Sequence, residues 1–131
     1  MTTQKKYKFW SDLIEESPSN GTLLYIMINI NPLREEAAKK LIGQKPTKED
    51  LFFIINNVES LREKAGRMVL DRKPTFSDLE FIFDNVKSLR KEAGKMLLNL
   101  PQSDYKLCKI MDKAPSLRSQ AKKLLGSVER K

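Results

Sequence analysis

The residue types that carry most enzymatic chemistry are sparse in this chain. It has no histidine, and Cys108 is its sole cysteine among 131 residues. A Cys-His nucleophile pair, a Cys/His metal cage and an internal disulfide are all excluded by that count. Carboxylates are plentiful, but Glu15-Glu16 and Glu35-Glu36 sit on exposed positions of helical patterns and have no companion nucleophile or ligand set. No phosphate loop is present. The expectation is a protein that is not an enzyme and that binds neither metal nor cofactor.

The chemistry on offer is that of binding, and it is arranged in columns spaced by 28 residues. Arg34, Arg62, Arg90 and Arg118 form the first. On a helical wheel each lies about 60° from the centre of its apolar stripe, a half-buried placement. A charge so placed needs a partner, which predicts an arginine ladder bonding inter-helix carbonyls or a neighbouring Asn or Asp. The second column is Lys39, Arg67, Lys95 and Lys123, about 160° from the stripe and so directed to solvent. Glu35 and Glu63 stand four residues ahead of Lys39 and Arg67, the favoured order for ordinary helix-supporting pairs. Lys91 and Ser119 take that place in the later copies, so the stripe is open at Lys91, Lys95, Lys122 and Lys123.

The third column is aromatic. Tyr25, Phe53 and Phe81, flanked by Leu24, Ile28 and Phe52, either pack between adjacent helices or form an exposed apolar patch. In the second reading the patch is an interface for another protein or the contact of a homodimer. Asn29, Asn57 and Asn85 make the fourth column. Near helix ends Asn tolerates left-handed backbone and bonds loose backbone groups; gripping a bound peptide is the other reading.

These columns require a repeated scaffold. Leu33-Arg34, Leu61-Arg62, Leu89-Arg90 and Leu117-Arg118 recur in one register with Ala37, Ala65, Ala93 and Ala121. Leu23, Leu51, Leu79 and Leu107 keep the phase, as do Ile26, Ile54, Ile82 and Ile110. Within a unit the spacing is helical: Leu51, Ile54, Ile55 and Val58 follow i, i+3, i+4, i+7. Each unit therefore reads as a pair of short helices, A then B. Thr47 with Asp50 and Thr75 with Asp78 fit an N-cap followed by a third-position carboxylate, and Ser60 with Glu63 offers the same box to a B helix. Pro32 suits a first turn. The apolar run Leu23 to Ile28 has strand-like composition, but its register with the other A helices overrules that.

The fold expected is all-α: a right-handed α-solenoid of about four helix pairs, in one domain spanning 1–131. A cap helix occupies 1–17, and repeats occupy 18–45, 46–73, 74–101 and 102–131. Phe9, Trp10, Leu13 and Ile14 of the leading helix cover the first pair, and Lys109 replaces the aromatic of its column as a cap on the last.

From Leu33-Arg34-x-x-Ala37 through Leu51-x-x-Ile54, Val58 and the returning Leu61-Arg62, the pattern resembles the short bacterial HEAT-like repeats, including those of the phycobilisome-lyase type. It covers the chain from about residue 18. The resemblance implies the right-handed solenoid, with B helices lining its concave face, and a role in holding another macromolecule, most often a protein. Many such repeats carry a Gly-Asp-Pro turn; here the turns read Gln44-Lys45-Pro46-Thr47 and Arg72-Lys73-Pro74-Thr75.

Charge separates the two halves. Residues 1–65 hold ten Lys/Arg against nine Asp/Glu, and residues 66–131 hold fifteen against eight, so most of the net +8 belongs to the second half. That bias admits an acidic partner, nucleic acid included. The N-terminal stretch with Lys5, Lys6 and Lys8 lacks the apolar core of a signal peptide, and no apolar run is long enough to cross a bilayer. The functional expectation is a cytoplasmic, non-enzymatic adaptor that binds another protein, the alternative being a nucleic-acid binder working through the basic stripe.

Overall fold

A computed structural model describes residues 7–129. Among them every regular element is helical. The α-helices are α1 (Lys8–Glu15), α2 (Asn20–Asn29), α3 (Arg34–Ile42), α4 (Lys48–Asn57), α5 (Arg62–Leu70), α6 (Phe76–Asn85), α7 (Arg90–Leu98), α8 (Asp104–Lys113) and α9 (Arg118–Glu129). The expected A and B helices are thus α2 to α9, and the run Leu23 to Ile28 is helical. Residues 1–6 of the expected cap helix, with Lys5 and Lys6, and residues 130 and 131 lie outside the described residues. The chain divides into two compact units, residues 1–65 and 66–131, with the boundary inside α5.

Each A helix starts on a hydroxyl. Ser19, Thr47, Thr75 and Ser103 accept a hydrogen bond from the backbone N–H three residues on. Thr47/Asp50 and Thr75/Asp78 complete the expected reciprocal box, with the carboxylate accepting from the threonine N–H at 3.0 and 2.9 Å. Each A helix ends on an extended residue, Ile30, Val58, Val86 or Ala114, with φ between -122 and -130. A single 3-10 turn then leads into the B helix, at Asn31–Leu33, Glu59–Leu61, Lys87–Leu89 and Pro115–Leu117. Ser60 therefore lies inside a turn and is not the N-cap expected of it. The reason is the short connection: the extended residue must be followed at once by a tight turn to reverse the chain. Pro32 fits that turn, where its missing N–H costs nothing.

Leaving the helix this way strips a carbonyl of its partner. Met27, Ile55, Phe83 and Met111 would each accept from the N–H four residues later, but that residue now belongs to the 3-10 turn. The arginine column supplies the missing donor. Nε of Arg34, Arg62 and Arg90 donates to Met27, Ile55 and Phe83 O, each at 2.7 Å, and Arg118 reaches Met111 O through its terminal nitrogen at 3.3 Å. This is the expected ladder to inter-helix carbonyls. The asparagine column is structural as well: Asn29, Asn57 and Asn85 donate to the carbonyls of Tyr25, Phe53 and Phe81, four residues back. Left-handed backbone occurs instead at Ser17, Lys45 and Lys73, all with φ 54 and all immediately before a proline. The next position in phase is Pro101, whose ring forbids positive φ. There the Gln102 amide takes over, bonding the carbonyls of Leu97 and Leu100.

Helices pack as consecutive pairs: α2 with α3, α6 with α7, and α8 with α9. The core repeats in phase, with Leu23, Leu51, Leu79, Leu107, Ile26, Ile54, Ile82 and Ile110 all at 2% exposure or less. B helices also approach the next 3-10 turn closely, which the column Ala38, Gly66, Gly94 permits. A Cβ on Gly94 would stand 2.6 Å from Leu117 Cδ1 and 3.1 Å from a ring carbon of Phe83.

Two outcomes follow. Arg90→Ala orphans a half-buried carbonyl and costs about 1–3 kcal/mol, more than Arg118→Ala, whose side chain is exposed and whose bond is longer; urea midpoints of the two variants measure the difference. Gly94→Val is expected to overpack the α7 contact and cost about 1–3 kcal/mol in the same assay.

Candidate functional site

In the first unit the apolar candidates separate by burial. Tyr25 and Ile28, on one face of α2, are 52% and 50% exposed, while Leu24 is half-buried. Phe52 and Phe53 of α4 are half-buried and belong largely to packing. The leading helix α1 packs on α3 and buries Ile14. It carries the half-buried Trp10 to 5.7 Å from the Tyr25 ring, and Phe9 meets Trp10 edge-on at 5.0 Å. Phe9 remains 63% exposed. The expectation that both residues cap the first pair thus holds for Trp10, which touches Tyr25, while Phe9 extends the exposed surface. Phe9, Trp10 and Tyr25 form a continuous aromatic run, with Ile28 one helical turn beyond Tyr25. The sequence columns missed this cluster because Phe9 and Trp10 precede the repeat and have no counterpart in it.

Two polar features lie nearby in the same unit. An open cleft of about 490 Å³ runs between Arg34 with Asn31 on one wall and Asn57 with Ser60 on the other. Arg34 already spends its Nε on Met27, and with Glu35 and Glu59 also in the lining, carboxylates outnumber the one cation of the cleft. Lys39, the first member of the basic column, pairs with Glu35 at 3.4 Å, the expected i,i+4 contact.

In the second unit the charges sort by helix type. Phe81 of α6 is half-buried. On the A helices, Lys106 reaches Glu80 at 3.2 Å and lies 4.1 Å over the Phe76 ring, while Lys109 and Lys113 share Asp84 at 2.9 and 3.4 Å. Lys109 is therefore an ion-pair partner of α6 rather than a solvent-facing cap. The signal was present in the repeat: where the Phe53 and Phe81 column turns to lysine, position 84 is aspartate in place of Ile28 and Asn56. On the B helices, Arg67 pairs with Glu92 at 2.6 Å. Lys91, Lys95, Lys122 and Lys123 are exposed, and none has a carboxylate partner among the described residues. α7 packs against the 3-10 turn that opens α9, so their lysines belong to neighbouring elements.

Among the described residues no group of three His, Cys, Asp or Glu side chains is placed to hold a metal ion, and no helix is long and apolar enough to cross a membrane. Cys108 is exposed and unpaired. Comparison with protein-family models, with curated proteins and with solved structures found no match.

The Asp84 network is partly solvated, so its contribution is modest and screened by salt. Asp84→Asn is expected to lower stability by about 1 kcal/mol or less at low ionic strength, with the deficit shrinking in 1 M salt. Thermal melts of both proteins across a salt series measure it, and a deficit that does not change with salt would contradict the electrostatic account.

Proposed function

We propose that the chain is a non-enzymatic scaffold or adaptor, a right-handed α-solenoid of the HEAT-like type that holds another protein. Four helix pairs and a leading cap helix make up the scaffold. The repeat class is supported by a bond set that recurs every 28 residues: the N-cap hydroxyls from Ser19 to Ser103, the extended residue after each A helix, and the arginine that completes its last turn. A reducing, cytoplasmic setting suits the single exposed thiol of Cys108.

The observation that carries the binding role is the cluster of Phe9, Trp10, Tyr25 and Ile28, three of them half or more exposed. Rigid aromatic rings beside an exposed aliphatic side chain have the composition of an interface centre, where Trp and Tyr contribute most of the binding energy. Residues 1–65 carry ten cations and nine anions, so docking here relies on apolar burial rather than on long-range charge. The occupant is a protein segment with an apolar face.

The double variant Tyr25→Asp/Ile28→Asp tests this. Both positions are half exposed, so losing the Tyr25 contact with Trp10 should lower its melting temperature only modestly and leave it folded. Pull-downs at high salt, after nuclease treatment, are expected to retain a protein on the parent chain and to lose it on the variant. Sedimentation of the isolated chain at micromolar concentration distinguishes a second copy from a different protein. A parent that sediments as a monomer and retains the same proteins as the variant would count against this surface.

A further inference from the structure

We infer that the B-helix face of the second unit binds the phosphate backbone of double-stranded nucleic acid without reading its sequence. The argument begins with which carboxylates in residues 66–131 are already engaged. Asp78 is held by the Thr75 N–H, Glu80 by Lys106, Asp84 by Lys109 and Lys113, and Glu92 by Arg67. The A-helix lysines thereby all have a carboxylate partner, Lys109 and Lys113 sharing one. Of the remaining lysines, Lys73 lies in the loop before α6 and five gather on the other helices: Lys87 in the turn before α7, Lys91 and Lys95 on α7, and Lys122 and Lys123 on α9. All five are exposed and none pairs with a carboxylate among the described residues.

Their spacing forms a small lattice. Lys91 and Lys95 are one turn apart on α7, about 6 Å along its axis, and Lys87 opens the 3-10 turn that leads into the same helix. Lys122 and Lys123 lie on the next B helix, and neighbouring helices stand about 10 Å apart. Both spacings are of the order of the groove widths and phosphate separations of a duplex.

The neighbours decide which polyanion fits. The aromatic residues of this unit, Phe76, Phe81, Phe83 and Tyr105, all belong to A helices, so the lysine face has no ring on which an unpaired base could stack. That disfavours single strands. Among the residues from Lys87 to Leu98 no large apolar side chain is exposed, and on α9 Leu124 is exposed at 38%, so the row lacks the aromatic or clustered apolar anchor of a protein interface. Lysine ammonium groups are flexible point charges suited to phosphate oxygens and lack the rigid planar fork of arginine, so the contact proposed is to backbone and independent of sequence.

Fluorescence anisotropy of the full chain with labelled duplexes of two unrelated sequences tests the proposal. At 50 mM salt both duplexes should bind in the micromolar range with similar affinity. Raising salt to 200 mM should weaken binding by about 500-fold if each of the five lysines neutralises about one phosphate. The variant Lys87→Gln/Lys91→Gln/Lys95→Gln changes only exposed positions, and its log-log salt slope should fall by about 2 to 3. Lys122→Gln/Lys123→Gln should lower the slope by about 2. The Tyr25→Asp/Ile28→Asp variant should bind duplex as the parent does, which separates this surface from the proposed protein-binding one. Absence of duplex binding at 50 mM salt, or slopes that the glutamine variants leave unchanged, would overturn the inference. Tighter binding of single strands or of poly-glutamate than of duplex would overturn the choice of ligand.

Discussion

The carbonyl oxygen at the end of each A helix is the constraint around which the local structure is organised. To reverse direction within a few residues, the chain leaves helical geometry at Ile30, Val58, Val86 and Ala114 and so removes the N–H that would have capped Met27, Ile55, Phe83 and Met111. An arginine seven residues further on returns a donor to the vacated position. The conserved phase of everything else follows: the leucine before that arginine ends the 3-10 turn, and the alanine three residues after it packs at 0% exposure. Position 115 makes the dependence plain. Proline there has no N–H to offer, and Arg118 donates to the Met111 carbonyl.

Much of this was legible in the residues because its cause is local. A hydroxyl followed three positions later by aspartate announces a helix start, and Thr47/Asp50 and Thr75/Asp78 behave accordingly. The same motif at Ser60 and Glu63 misleads, since a cap signal does not reveal that the preceding residues must form a 3-10 turn. Left-handed backbone at Lys45 and Lys73 left no trace, because lysine has no special preference for that region and the geometry is imposed by how α3 and α5 end. The asparagines are near helix ends as expected, yet they bond backward along their own helix.

For the surfaces, periodicity was a partial guide. It grouped Tyr25 with Phe53 and Phe81 because they share a phase, although Tyr25 is exposed and the phenylalanines are half-buried. Side chains outside the repeat, Phe9 and Trp10, complete the aromatic run. For charge, counting along a helix found the Lys39 pair with Glu35 but not the contacts of Lys106, Lys109 and Lys113 with α6, which span 25 to 29 residues. Those contacts also give the half-chain charge bias a direction, leaving the excess on the B helices.

The side-chain ties within and between helix pairs have a kinetic consequence. Gln44 closes the first pair by reaching back to Pro18, and Lys106 to Glu80 and Lys113 to Asp84 join the last two pairs, separations of 26, 26 and 29 residues. Closing loops of that length carries a small entropic cost, and low contact order of this kind accompanies rapid folding. Helix pairs tied at this range have no distant strand to wait for, so within a unit local contacts can form early. The same locality bears on opening: the helix ends fastened by these side-chain bonds are the places where amide exchange should be slowed beyond what the backbone bonds alone give.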